Sequence, residues 1–393
     1  MSLVESREKR AKELQGVLSE LCAGNVPRWA GTPADDRAAQ IAERELSKWC
    51  ARVETQEFTI PWWRPRGVVH LQVGDRQLEG YPHYGSPGTA PDGIIGVLKT
   101  DPDNVSRFRI VPSDVAAAAR TTGGPSRGET LAYLVLSPFG EAVPRYDAEL
   151  IRTRLPVVGV SRWEEAFLRE AAEADTRKSA SRGELQFDVE DSGDRTTNNV
   201  IGTIPGKRSE EILLIAHHDC QYNSPGANDN AATLIVMFQL AEYFSRNTPP
   251  WTLTFLASGA EEIGFRGAYA YAEKRQREGT LDMIKLTLNF DSLTYGKHPH
   301  FFTTETSVAE QGSEVFRRQG ADVVPVLHNE VATLDSEPFV ERGIPSIFLN
   351  SRGDDESKVR LWHRPEDTPE TVDLDLTEEY YQALVTFLSE VTL

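Results

Sequence analysis

Cysteine is scarce in this chain. Cys22, Cys50 and Cys220 are its only three thiols, and so odd and widely spaced a set does not make a disulfide framework. The same scarcity is compatible with a reducing compartment and points to a cytoplasmic location. Basic residues are also in deficit, with 42 Lys and Arg against 60 Asp and Glu and a net charge of −18. That balance argues against nucleic acid or an anionic membrane as a partner. It suits metal ions or protonated amines, although most of the charge reads as an ordinary solvated surface. No apolar run approaches the roughly 20 residues of a membrane-spanning helix. The opening residues MSLVESREKRAKELQ contain no apolar segment of the secretory type. What is present, 39% hydrophobic residues and mixed charge over 393 positions, is the composition of a globular chain too long for one ordinary core.

Two amphipathic patterns open the chain. Leu14, Val17, Leu18 and Leu21 predict a helix over 3–22. Thr32-Pro33, a polar cap with proline at the first helical position, predicts a second, with Ala38, Ile41, Ala42, Leu46 and Trp49 along one face. ARVETQEFTIP then alternates like a strand. From Trp62 to Glu190 the texture changes to short β-like runs, VVHLQV, GIIGVL, LAYLVL and LPVVGV, with one helix near 162–174. His70 and His83 stand alone there, and Trp62 and Trp63 are expected in that module's core. After Asn198-Asn199 strands and helices alternate. VIGTIPG, ILLIA, WTLTFLA, KLTLNF and PSIFL read as strands; helices are expected over 230–245, near 264–277, near 307–319 and from Thr377. The expected fold is therefore α/β, a mixed, mostly parallel central sheet flanked by helices and built from 1–61 and 191–393, with a β-rich domain inserted at 62–190.

Chemistry concentrates where the strands of the α/β part end. ILLIA stops at His217, and the loop beyond it, HDCQYNSPGAND, delivers Asp229. WTLTFLA leads into Glu261-Glu262, KLTLNF into Asp291, and PSIFL through a polar loop into Trp362-His363. An acid at one strand end is most often a helix cap or a loop charge. Four strands ending on metal-ligand types point instead to a metal site at the carboxyl end of a sheet, where ligands of open α/β folds bind. Imidazole with carboxylate suits zinc, and cobalt or manganese would fit the same donors.

The H-x-D of His217 and Asp219, the GAND loop, Glu261-Glu262 followed by IGFRG, NFD, and a late His363 followed by PEDT resemble the co-catalytic di-zinc aminopeptidases. That family includes glutamate carboxypeptidase and the transferrin-receptor ectodomain. The resemblance implies a peptidase acting on peptides with a free N-terminus. It implies two zinc ions bridged by Asp229, one completed by His217 and Asp291 and the other by Glu262 and His363. Glu261 would be the general base, and Asp219 would hydrogen-bond His217 and fix its tautomer. The Asp229–Asn230 peptide is often cis in such enzymes. The 62–190 module is similar to a protease-associated domain, with LPVVGVSRWE as its closing segment.

Other readings of single residues stay open. His218 competes with His217, but only His217 gives the H-x-D spacing. Asp335 is either a counterpart of a family aspartate or a helix cap. His298, His300 and His328 are expected at the surface or in loops, and Cys220 as a small packed side chain. Trp362 stands where some relatives have a tyrosine, leaving Tyr222 or Tyr295 as candidate donors to the tetrahedral intermediate. The competing functions are a carboxypeptidase or amidohydrolase, in which Arg266 or Arg342 would grip a carboxylate, a non-catalytic relative, and a one-zinc glutaminyl-cyclase-like acyltransferase.

Overall fold

The computed structural model describes residues 3–111, 129–175, 179–324, 326–328, 334–355, 357 and 359–393. The chain divides into two units, Met1–Ile60 with Arg195–Leu393, and Pro61–Asp194.

In the first unit, helix α1 (Leu3–Leu21) buries Leu18 and Leu21. Helix α2 (Pro33–Ser47) starts where the sequence marks it: Thr32 Oγ1 accepts from the Asp35 amide at 3.4 Å, Pro33 occupies the first turn, and Asp35 and Asp36 lie at the positive end of the helix dipole. The other long helices are α3 (Ala232–Arg246), α4 (Arg266–Arg277), α5 (Thr306–Arg318) and α6 (Leu374–Glu390). The last begins before Thr377 because Asp373 caps it, accepting from the Asp375 and Leu376 amides.

The strands are β1 (Arg52–Pro61), β2 (Asp194–Ile204), β3 (Arg208–His217), β4 (Trp251–Ser258), β5 (Ile284–Phe290), β6 (His298–Thr303), β7 (Leu327–His328) and β8 (Ser346–Arg352). They form one sheet in the order β1-β2-β4-β3-β5-β8-β6-β7. The middle four, β4-β3-β5-β8, are all parallel, while β2 and β6 flank them antiparallel. Register aligns His217 with Ser258 and Ile215 with Asn289, so neighbouring strands run out together at one edge.

Alternation along β3 assigns each face its helices. Ile212, Leu214 and Ala216 pack with α1, α2, α3, α5 and α6; Leu213 and Ile215 pack with Ala268, Tyr271 and Ala272 of α4 and with Phe339. Both faces are thus covered, which is why the strands read as continuous apolar runs rather than alternating ones. Helix α3 is buried from Ala232 to Ala241. Each large side chain removed from water there stabilises the fold by roughly 1.5–3 kcal/mol.

The second unit is built on a separate sheet. Its strands run Arg76–Gln77, Arg64–Val73, Arg182–Glu190, Ile94–Thr100, Arg107–Val111, Ala132–Leu136, Val157–Val160 and Gly80–Pro82 in spatial order. Leu71, Leu98, Phe108, Leu134 and Val158 make its core with Leu168 of a helix at Glu165–Glu173. Trp62 and Trp63 are buried, and the Trp63 indole donates to the Ser86 carbonyl at 2.8 Å.

Candidate metal centre

Strand ends bring the donors together. His217 is the last residue of β3, Asp291 follows β5, the Glu261-Glu262 pair follows β4, and His363 lies beyond β8 after a turn at Val359–Leu361. His217 Nε2 lies 3.3 Å from Asp229 Oδ1 and 3.9 Å from Asp291 Oδ2. His363 Nε2 lies 3.4 Å from Asp229 Oδ2 and 3.1 Å from Glu262 Oε2. Each oxygen of Asp229 therefore faces a different imidazole. Among the described residues the donor atoms form two groups, His217 with Glu261 and Asp291, and Asp229 with Glu262 and His363, each spanning no more than 4.8 Å. The Asp229–Asn230 peptide is cis. Ala260, Ser292 and His363 adopt left-handed backbone, with φ of 58°, 53° and 57°. Such conformations are unusual for side chains of this kind and cluster at functional sites.

Behind the donors stands a layer of hydrogen bonds that the sequence reading had only in part. Asp219 is fully buried, but the His217 Nδ1 contact is to its backbone carbonyl at 3.1 Å, with its carboxylate at 3.6 Å. The carboxylate instead accepts from the amides of Glu261 at 3.1 Å and Glu262 at 3.3 Å, pinning the backbone of the glutamate pair. Asp367, from the PEDT segment, accepts from the Asn228 amide and side chain at 2.9 and 2.7 Å and from the Asp229 amide at 3.1 Å. Asn230 links the same loop to β5, donating to the Phe290 carbonyl and accepting from the Ser292 amide. Gln221 Nε2 donates to Glu262 Oε2 at 2.9 Å, and Asn223 Nδ2 to the His363 carbonyl at 2.9 Å. The quoted motifs already contained Asp367 and Asn228. Gln221 and Asn223 carry no spacing signal, because their partners are distant in sequence; Ser292 donates its amide to the distant Asn230 and its hydroxyl to the adjacent Asp291 at 2.8 Å.

The site concentrates negative charge out of water. Burial, with Glu262, Asp335 and Asp291 added and His217 opposing, raises Glu261 well above the usual carboxyl range. Burial and then Asp229 push Asp291 up to about 7. For Asp229 burial works the other way from the outcome: the imidazoles of His217 and His363, one facing each of its oxygens, overcome it and hold the carboxyl below its ordinary value. Burial would lower His363, yet Glu262 and Asp229 carry it up to about 10. His217 Nε2 and Glu262 Oε1 are buried without a hydrogen-bond partner. Orphaned donor atoms amid clustered carboxylates are costly to bury unless cations compensate them. This donor set fits divalent metal ions.

The remaining candidates sort by direction. His218 turns away from the donors, Nε2 to the Asn198 carbonyl at 2.8 Å and Nδ1 to Asp35 at 3.1 Å. Cys220 is buried, its thiol donates to the Ser224 carbonyl, and burial pushes its pKa up, away from a thiolate ligand. Asp335 is fully buried and accepts from the Ser258 hydroxyl; no side chain caps the turn at Glu337–Val340. Trp362 stacks on His363 with ring centroids 3.7 Å apart, and Tyr222 packs edge-on against Trp29. Tyr295 is buried, and burial with Asp367, Asp229 and Asp291 keeps its phenol protonated. His298 and His300 belong to strand β6 rather than a loop, because HPHFFT pairs antiparallel with β8 and its end pairs with β7. The side chain of His328 lies outside those described.

Residues 199–388 match peptidase family M28. The chain is similar to aminopeptidase YwaD of Bacillus subtilis, 23% identical over 92% of this chain and 81% of that protein. Among solved structures it resembles an aminopeptidase from Aneurinibacillus sp. strain AM-1, with a TM-score of 0.70 at 21% identity over 96% of this chain and 92% of that one. It also resembles a zinc aminopeptidase from Bacillus subtilis, with a TM-score of 0.66 at 22% identity over 97% and 94%. At these identities the structural likeness is one of fold. The donors from His217 to His363 all fall inside residues 199–388, the part of the chain that matches peptidase family M28.

Proposed function

We propose that this chain is a zinc-dependent aminopeptidase that hydrolyses the first peptide bond of substrates with a free N-terminus. The observation that carries the reading is the meeting of His217, Asp229, Glu262, Asp291 and His363 around the two carboxylate oxygens of Asp229. His217 and Asp291 would hold one ion, Glu262 and His363 a second, and Asp229 would bridge them. The zinc aminopeptidase among its structural relatives supports the choice of metal, and cobalt or manganese would fit the same donors. When bound, the ions supply Lewis acidity to the scissile carbonyl and to the attacking water.

The chain's own residues do the rest. Glu261 accepts a proton from the attacking water while the water oxygen bonds to the carbonyl carbon, then delivers that proton to the departing amine nitrogen as the C–N bond breaks. Its placement comes from the amide that Asp219 holds and from the tight turn its carbonyl closes with the Gly264 and Phe265 amides at 3.0 and 2.9 Å. The tetrahedral intermediate draws on the protonated phenol of Tyr295 or on Tyr222. The acids around the site attract the substrate's ammonium and would repel a substrate carboxylate. Arg342, a residue a carboxypeptidase could use to grip a carboxylate, is already engaged with the Pro338 carbonyl at 2.7 Å and with Gln276 at 3.2 Å. The unit at Pro61–Asp194 is read as a protease-associated-like insertion, supported by its β-rich build and the LPVVGVSRWE segment.

The deciding experiment is hydrolysis of paired free and N-acetylated peptides with metal added or chelated. Cleavage that requires the free amine and disappears with chelator is expected. Cleavage indifferent to acetylation would move the assignment to an amidohydrolase.

A further inference from the structure

We propose that Arg28 is a positioning residue for metal capture: it grips the loop between His217 and Asp229 from inside and so sets the spacing of the two donor groups. The inference rests on the metal reading above and adds to it a residue from outside the 199–388 match.

Arg28 is a charged side chain with no exposed surface. Among the described residues its guanidinium makes no carboxylate hydrogen bond, though Nη1 also reaches Cys22 Sγ at 3.5 Å. Nε donates to the His218 carbonyl at 2.8 Å, Nη1 to the Pro225 carbonyl, and Nη2 to the Gly226 carbonyl at 2.9 Å. The backbone of the same residue closes the grip. Its amide donates to Cys220 Sγ at 3.0 Å, and its carbonyl accepts from the Cys220 amide at 3.2 Å. One residue therefore holds the beginning, the middle and the end of the segment that leaves His217 and arrives at Asp229.

The far end of that segment has little room to relax. Gly226 has a φ of +62°, and a Cβ placed there would lie 2.4 Å from both the Asp229 carbonyl oxygen and Cys220 Cβ. The Gly226 carbonyl that Arg28 holds also accepts from the Ala231 amide at 3.2 Å, beside Asp229. A planar fork with fixed donor directions suits three carbonyls of one curved loop, whereas an ammonium is a point donor on a flexible stem. Burying this guanidinium on neutral carbonyls forgoes the ion pair it could make at the surface. What it does achieve is a fixed distance between two donors on which both halves of the site depend.

The test is Arg28→Lys in the full-length chain, with metal affinity read by competition between zinc and a chromogenic chelator at a temperature where circular dichroism shows the variant folded. Arg28→Lys is expected to weaken zinc binding by about 10- to 100-fold, the range for residues that orient metal ligands. Arg275→Lys is the control. It alters another buried arginine, paired with Glu211 at 2.8 Å, and should lower the melting temperature while leaving zinc affinity unchanged. If Arg28→Lys does not fold, Ser224→Ala decides. It removes the hydroxyl that accepts from the Gly226 amide at 3.1 Å, and should weaken zinc binding through the same loop. Wild-type affinity in the folded variants would overturn the clamp while leaving the metal site standing. A wild-type chain that takes up no zinc would overturn both.

Discussion

Glu261 and Glu262 are neighbours given different tasks by the turn between them. Glu262 points to His363 and receives a hydrogen bond from Gln221, whereas Glu261 Oε2 stands 4.0 Å from His217 Nε2 on the other side. Replacing Glu261 by Gln keeps the shape and removes the proton acceptor. Turnover should fall by about a thousandfold while elemental analysis finds the metal content unchanged; an active E261Q would place the base elsewhere. Asp229→Ala removes the carboxylate both groups share, and metal content should drop with activity. A different residue gives a pH test remote from the site. Burial first, and then the charge of Arg352, hold the His300 imidazole down to about 4, against about 6.5 for an unfolded histidine. Between those values the unfolded chain binds a proton that the folded chain refuses, so stability falls as pH drops through that window and levels off below it. His300→Phe should flatten the fall between pH 6.5 and 4 in urea melts, by an amount kept small because the ring is only half-buried. The donors were legible in the sequence because His217, Glu261-Glu262 and Asp291 stand at or just beyond the ends of apolar runs, with Asp229 and His363 in the loops that follow. Gln221 and Asp219 show why the supporting contacts were not. One touches a residue 41 positions away, and the other meets its histidine through a backbone atom that any residue type would offer.

At the scale of elements, the site depends on a loop held at both ends. Residues 259–265 leave β4 and enter α4, which has no side-chain cap; the Arg266 and Gly267 amides instead donate to the carbonyls of Ala260 and Gly259 at 3.0 Å. The helix thereby starts on the loop that carries both glutamates. That packing requires glycine at 267, where an added Cβ would come within 2.3 Å of the Gly259 carbonyl oxygen and of Asn199 Oδ1. Gly267→Ala should destabilise the protein by about 1–3 kcal/mol, as overpacking does, and lower kcat/KM even in the folded protein. A variant with a lowered melting temperature and full activity would show that the loop absorbs the shift. The same contrast between local and distant partners governs how well the fold could be read. Parallel strands β3, β4, β5 and β8 announce themselves as apolar runs because both of their faces are covered. Strand β6, between β8 and β7, has burial that alternates between full and partial, and with His298 and His300 at two of its partly buried positions it does not stand out until β8 is beside it.

At the scale of the whole molecule, every proposed donor belongs to the unit made of Met1–Ile60 and Arg195–Leu393, while Pro61–Asp194 carries its own sheet and its own apolar core. A ligand that binds only the folded form stabilises what it binds, by about 4 kcal/mol at a free concentration a thousand times its dissociation constant. For a unit of about 260 residues that amounts to a shift on the order of 10 °C. Scanning calorimetry of the intact chain with zinc and with chelator should therefore show two transitions, of which one moves and the other stays. Zinc-sensitive melting should also track loss of activity, and Asp229→Ala should melt at the chelated position whether or not zinc is present. A single transition that moves as a whole would mean that the two units unfold as one, and that metal held at the ends of β3, β4, β5 and β8 stabilises residues that contribute no donor to it.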